Sequence, residues 1–192
     1  MPSNPPTQAV ILAGGRGTRL QPITDTIPKP LIQFHGRPFL SYLLDQVKGL
    51  GLDRVLLLIG YRGAQIREYC GNGERWGLDI TYVESPVEAD TGQRLNDAAS
   101  EIDSKFLLMY CDNYCPVRLD KMWSDFNQGG TTAMVTAYTN RDGYTKSNLL
   151  VDENCVVEQY DPARSAPNLN AVDIGYAIFS KDVLDLIPAG NV

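Results

Sequence analysis

Histidine is almost absent from this sequence: His35 is the only one among 192 residues. The four cysteines, Cys70, Cys111, Cys115 and Cys155, lack CxxC spacing, so neither a zinc site nor a disulfide framework is indicated, and reduced structural thiols are expected. No apolar run approaches the ~20 residues that span a bilayer, and residues 1–7 are polar and proline-rich, unlike a signal peptide. The expectation is a cytoplasmic protein with no membrane partner. A formal charge of −6 disfavours a nucleic-acid partner, which calls for a basic face. Internal repeats and low-complexity tracts are missing too.

What is present supports a folded core. Hydrophobic residues make up 43% of the chain, in short runs broken by Gly, Pro and polar clusters, and the length suits one domain over residues 1–192. Residues 9–13 read as a buried strand that runs into the glycine-rich turn Gly14-Gly15-Arg16-Gly17. Residues 38–50 place Phe39, Leu40, Leu43, Leu44, Val47 and Leu50 at helical spacing, with Pro38 before them and Gly51 after. Strands are then expected at residues 54–59, 79–83, 106–110 and 132–138, alternating with helices at 64–70, 95–102 and 119–127. That alternation predicts an α/β fold with a mostly parallel central sheet. Farther on, strands at 148–151, 156–160 and 172–179 joined by polar loops predict a small mixed or antiparallel C-terminal region, and residues 180–186 a last helix. The chain then stops at Pro188-Ala189-Gly190-Asn191-Val192, where a further element usually follows.

Charge is distributed unevenly. Between Gly14 and Arg37 stand Arg16, Arg19, Lys29 and Arg37 against a single acid, Asp25. Glycines in a turn after the first strand let the backbone approach a phosphate and present N–H donors to it, while Arg and Lys offset charge on a polyphosphate. The GxGxxG fingerprint fails because Leu20 stands where its third glycine belongs, and no GK[ST] completes a P-loop. A tight turn and a solvated basic loop are the competing readings of these residues, as a turn or capping acid is for Asp112.

The segment Leu12-Ala-Gly-Gly-Arg-Gly-Thr-Arg-Leu20, followed by Pro22, Thr24, Pro28-Lys-Pro-Leu31 and Gly36-Arg-Pro38, resembles the signature of sugar-1-phosphate nucleotidylyltransferases. The likeness extends to the strand ending at Asp112. Among subgroups, the pattern is similar to bacterial heptose- and mannose-1-phosphate guanylyltransferases and to N-acetylmuramate-1-phosphate uridylyltransferases. The resemblance implies a Rossmann-like three-layer fold, transfer of a nucleoside monophosphate from an NTP to a sugar 1-phosphate, and release of pyrophosphate. It implies catalytic roles for Arg19, Lys29 and Asp112, with Asp112 binding Mg²⁺. Nucleotide contacts are implied for Leu12, Ala13, Gly14, Gly15, Arg16, Gly17, Thr18, Glu84, Thr91 and Gly92, and sugar-phosphate contacts for Asp161, Arg164, Asp173 and Gly175.

Two departures qualify this reading. The family's Gly-Asp pair reads Cys111-Asp112, and Pro162 stands where an acid-lysine motif should supply its lysine, leaving Arg164 as a substitute. A carboxylate at Glu84 can accept the N1–H and N2–H of guanine, which favours GTP over pyrimidine nucleotides. No enzyme nucleophile is needed, in keeping with the lack of a Ser/His/Asp set. A nucleotide- or sugar-phosphate-binding regulatory homologue and a fragment lacking the family's C-terminal segment are the alternatives, and self-association into a homo-oligomer stays open.

Overall fold

The strand that opens the fold is β1 (Gln8–Leu12), within a computed structural model that describes residues 5–188. Residues 1–4 and 189–192, and with them parts of the polar opening and of the final Pro-Ala-Gly-Asn-Val run, lie outside the described residues. The chain continues through β2 (Gln33–Phe34), β3 (Arg37–Pro38), α1 (Phe39–Gly49), β4 (Arg54–Ile59), α2 (Gly63–Cys70) and β5 (Asp79–Glu84). Then come α3 (Thr91–Asp97), β6 (Lys105–Tyr110), α4 (Leu119–Gly129), β7 (Ala133–Tyr138), β8 (Leu149–Val151), β9 (Val157–Tyr160) and β10 (Val172–Ser180). Two compact units divide it: the described residues of Met1–Met134 and Ala177–Val192 form one, and Val135–Tyr176 the other.

In the first unit, Ala9, Val10 and Ile11 of β1, Val55 to Ile59 of β4 and Phe106 to Met109 of β6 are buried in unbroken succession. Side chains alternate faces along a strand, so such runs mean that both faces of these strands are covered, which suits parallel pairing. The pairing is indeed parallel: Ala9 opposes Val55 on one side and Leu107 on the other, and Val55 opposes Ile80 of β5. The strand order is β5-β4-β1-β6-β10-β7. The fold is thus α/β with a mostly parallel central sheet.

Helix α1 buries Leu40, Leu43, Leu44 and Val47 completely, at the spacing of one helical face. Eleven residues make a marginal helix alone, so this face, at about 1.5 to 3 kcal/mol per buried side chain, holds it in place. Its end is set by Gly51 at φ 81°, whose N–H returns to Lys48 O at 3.0 Å. Helix α3 departs from expectation. It runs Thr91–Asp97 rather than 95–102, because the Asp90 carboxylate caps it, accepting the Gln93 N–H at 2.8 Å. The buried residues Leu95, Ala98 and Ile102 run from the last turn of α3 through the turn that follows it, so their spacing outlasts the helix. Residues Lys181–Leu186 form a 3-10 helix, not an α-helix. The β2–β3 hairpin turns at His35 and Gly36, with φ 47° and 78°, and was not expected from the sequence because its strands are two residues long and mostly exposed.

The second unit contains the antiparallel pair β8–β9, with Leu149 opposite Tyr160. Its loops are organised by aspartates. Asp142 accepts the Tyr144 N–H, Asp152 accepts those of Asn154 and Val156, and Asp161 accepts those of Ala163, Ser165 and Ala166 at 2.8 to 2.9 Å. These bonds hold all three carboxyls below the usual carboxylate range: for Asp142 the Tyr138 hydroxyl bond leads, and for Asp152 and Asp161 the backbone N–H bonds do.

Candidate functional site

Parallel register brings the carboxyl ends of β1, β4, β5 and β6 to one edge of the sheet, with Leu12 beside Leu58 and Tyr110 and Ile59 beside Glu84. Chain order runs outward from β1 to β4 and β5, then returns to β6 on the other flank of β1. The reversal lies between β1 and β6, where open α/β sheets bind ligands. Residues 14–17 leave β1 at this point, and Cys111 and Asp112 leave β6.

The glycines of the turn are required for different reasons. Gly14 is buried, and a Cβ there would meet Arg94 Nη1 at 2.2 Å. Gly15 is exposed and open on its Cβ side, so its backbone is accessible to a phosphate. Gly17 is left-handed at φ 66°, and its Cβ position lies 3.1 Å from both Lys29 Cβ and Thr24 Cγ2. Arg16, exposed, pairs with Glu88 at 3.0 Å; Arg19 and Thr18 stand exposed on the 3-10 turn Thr18–Leu20.

Lys29 opens a further 3-10 turn, and its Nζ donates to the Asp112 carboxylate, uniting two residues 83 positions apart. Both side chains remain partly exposed, at 25% and 34%. They border a cavity of about 180 Å³ whose apolar wall includes Leu20, Ile32, Phe34 and Phe39. That is less than the roughly 300 Å³ at the lower end of ligand pockets, so it suits part of a ligand. Beside it, burial pushes the Cys111 thiol up to about 12, with Asp112 adding to the effect.

Arg94, which sequence reasoning missed, braces the candidate site from beneath. It is only 4% exposed, and its guanidinium donates to Ile59 O at 3.1 Å, Gly14 O at 3.3 Å, Pro86 O at 3.0 Å and Val87 O at 3.1 Å. One buried cation therefore ties the glycine turn to the end of β4 and to the loop that follows β5. Desolvation lowers its pKa, with Asp97, Asp90 and Glu88 opposing. Nothing in the one-dimensional pattern distinguishes it from a surface arginine.

The remaining nucleotide candidates are placed less simply. Glu84 ends β5 with its carboxylate 3.5 Å from Arg67 of α2. Thr91 and Gly92 lie in the first turn of α3, where Gly92 is packed closely enough that a Cβ would meet Ile187 Cγ2 at 2.9 Å. Leu12 and Ala13 are the end of β1 and the step into the turn, and Ala13 N–H donates to Leu58 O at 2.8 Å.

Within the second unit, Arg164 is left-handed at φ 56°, and its Nη1 donates to Lys146 O at 2.5 Å and Thr145 Oγ1 at 3.2 Å. The Asp161 carboxylate is occupied by the loop N–H groups described above. Asp173 is half-buried and its pKa is raised by that burial; its Oδ1 accepts the N–H of Gly175, which has φ 77°. The buried Asn148 side chain in turn accepts the Asp173 N–H at 2.8 Å.

Known proteins are similar to this chain in sequence and in fold. The chain is 29% identical over 204 residues to a Bacillus subtilis protein named Probable glucose-1-phosphate cytidylyltransferase, covering 94% of this chain and 78% of that one. It is 29% identical over 185 residues to a Mycobacterium tuberculosis mannose-1-phosphate guanylyltransferase, covering 95% of this chain but 51% of the relative. Among solved structures, HddC from Yersinia pseudotuberculosis complexed with GMP-PN superimposes with a TM-score of 0.79 at 23% identity, over 97% of this chain and 82% of that one. The family model described as nucleotidyl transferase matches residues 8–187, the whole span from β1 to the last 3-10 turn, and the chain belongs to that family.

Proposed function

We propose that the protein transfers a nucleoside monophosphate from an NTP to a sugar 1-phosphate, giving a nucleotide sugar and pyrophosphate. The observation that carries this reading is the meeting of Lys29 and Asp112 beside an accessible glycine turn at the strand-order reversal. A phosphate oxygen of the sugar 1-phosphate attacks the α-phosphorus, the bond from that phosphorus to the bridging oxygen breaks, and pyrophosphate leaves with the electron pair. The protein contributes position and charge: turn N–H groups with Arg16, Arg19 and Lys29 take up the growing charge on the leaving group.

A divalent cation fits the residues present. Among the described residues no group of three or more His, Cys, Asp or Glu could hold an ion unaided. Magnesium is commonly held by one or two carboxylates plus substrate phosphates and water, and the partly exposed Asp112 supplies such a carboxylate. When bound there, Mg²⁺ supplies neutralisation of charge on the phosphate oxygens. Lys29 shares that carboxylate and is placed to turn to phosphate when substrate arrives.

For the base we put guanine first, on the Glu84 carboxylate at the end of β5, although the two relatives above are named for cytidylyl and guanylyl transfer. Sugar-phosphate recognition is assigned to Asp161, Arg164, Asp173 and Gly175. No helix among the described residues is long and apolar enough to cross a membrane. The test is a pyrophosphate-release screen of the full chain against four NTPs crossed with a panel of sugar 1-phosphates, with and without Mg²⁺. Cation-dependent release that requires both substrates is the expected result. Binding of either substrate without release would establish the second reading, a regulatory binding protein, which Pro162 and the internal bonding of Asp161 and Arg164 favour.

A further inference from the structure

The segment that carries Arg19 towards Lys29 holds itself by short-range bonds around the 3-10 turn Ile23–Asp25: Asp25 N–H to Pro22 O at 3.1 Å, Thr26 N–H to Ile23 O at 3.4 Å and Gln21 Nε2 to Asp25 Oδ1 at 2.8 Å. Across residues 21–27 only Thr24 is buried. Exposed segments with few apolar contacts open readily unless hydrogen bonds restrain them. Here the restraint from outside the segment comes from the junction between β4 and α2. Tyr61 Oη donates to Thr24 O at 2.9 Å, the Arg62 guanidinium donates to Asp25 O, and Gln65 Nε2 donates to Thr26 O at 3.1 Å. Three side chains thus hold three consecutive carbonyls.

The junction is itself braced. Arg62 stands in left-handed backbone at φ 54°, a conformation that disfavours any side chain, and its Nε donates to Tyr61 Oη at 3.1 Å. The guanidinium groups of Arg16 and Arg62 lie 5.5 and 5.4 Å from the centroid of the Tyr61 ring. From Thr24 the contacts lead on to the chemistry: Thr24 Oγ1 donates to Gly17 O at 3.1 Å, and Gly17 leaves room only for a hydrogen where a Cβ would lie 3.1 Å from the Cβ of Lys29, which reaches Asp112.

We propose that Tyr61, Arg62 and Gln65 are positioning residues that set the phosphate-facing placement of Arg19 and Lys29. They act through the loop backbone and need not touch substrate. The inference rests on the nucleotidyl-transfer reading for its kinetic arm, while its structural arm is independent of it.

The test uses Tyr61→Phe, Arg62→Gly and Gln65→Met in the full chain. Each removes one donor, and Arg62→Gly also relieves the backbone conformation. Melting temperature, hydrogen exchange of residues 22–32, the Kd of inorganic pyrophosphate, and NTP kinetics are measured for each. Faster exchange confined to residues 22–32 is expected, with pyrophosphate affinity and kcat/KM for NTP each lowered about tenfold. KM for sugar 1-phosphate should hold, melting should be unchanged or, for Arg62→Gly, higher, and Arg62→Lys should restore part of the loss. Wild-type exchange in all variants, or faster exchange with unchanged pyrophosphate affinity, overturns the proposal. If the wild-type chain transfers no nucleotide, the functional reading fails separately, and the exchange and pyrophosphate measurements still decide the positioning role.

Discussion

At the scale of single residues, the Lys29–Asp112 pair should matter far more for turnover than for folding. A partly exposed ion pair contributes about 0 to 1 kcal/mol to stability, whereas groups that stabilise charge in a transition state contribute a hundredfold or more, about 3 kcal/mol. Asp112→Asn and Lys29→Met are therefore expected to cut kcat at least about a hundredfold with melting nearly unchanged, measured by pyrophosphate release and calorimetry. A collapsed melting temperature would make Asp112 a structural acid. The opposite ranking applies to Arg94. Removing it takes a charged donor from four carbonyls; Ile59 O, Gly14 O and Pro86 O keep the N–H groups of Ser85, Tyr61 and Ala89, so the cost is about 1.5 to 3 kcal/mol for a charged hydrogen bond rather than that of four orphaned acceptors. Gly14→Ala should destabilise by collision with the same guanidinium, and in a double-mutant cycle Gly14→Ala with Arg94→Ala should cost less than the sum of the single changes.

At the scale of elements, what could be read from the sequence follows from which signals are local. Strands β1, β4 and β6 are continuous apolar runs, and α1 shows four buried residues on one face, so both were legible. The start of α3 was not, since the Asp90 cap competes with an apolar spacing that points four residues downstream. Lys29 and Asp112 were each identifiable from the sequence, but their meeting depends on β6 returning beside β1, which no local pattern encodes. The loops of the second unit carry an expectation about acid. Asp161 is bonded as a carboxylate, so its folded pKa lies below the unfolded value of about 3.9. Its stabilising contribution is complete above that value and lost as pH falls through the folded pKa. Asp173, raised by burial, has the reverse sign: its contribution is complete below the unfolded value and lost as pH rises through the folded one. The amide proton resonances of Ala163, Ser165 and Ala166 should shift together below about pH 4 and not above it, with Asp161→Asn abolishing the joint transition.

At the scale of the whole molecule, net charge and local charge oppose each other. The chain carries −6 overall, yet Arg16, Arg19 and Lys29 gather at the edge where an anion would bind. Screening acts over about 8 to 10 Å at ordinary ionic strength, so contact attraction outweighs distant repulsion. KM for NTP is expected to rise as salt is increased from low values; a fall would mean that long-range repulsion governs encounter. The central place of β1 has another consequence, for the order in which the protein can be made. Ala9 emerges from the ribosome before its neighbours Val55 and Leu107, which follow in turn. Until β6 has been synthesised, the nascent chain exposes one flank of a strand that ends up buried on both faces, a ready template for pairing with another chain. Completion of the edge that carries the candidate site and closure of that flank are thus the same event in the life of the polypeptide.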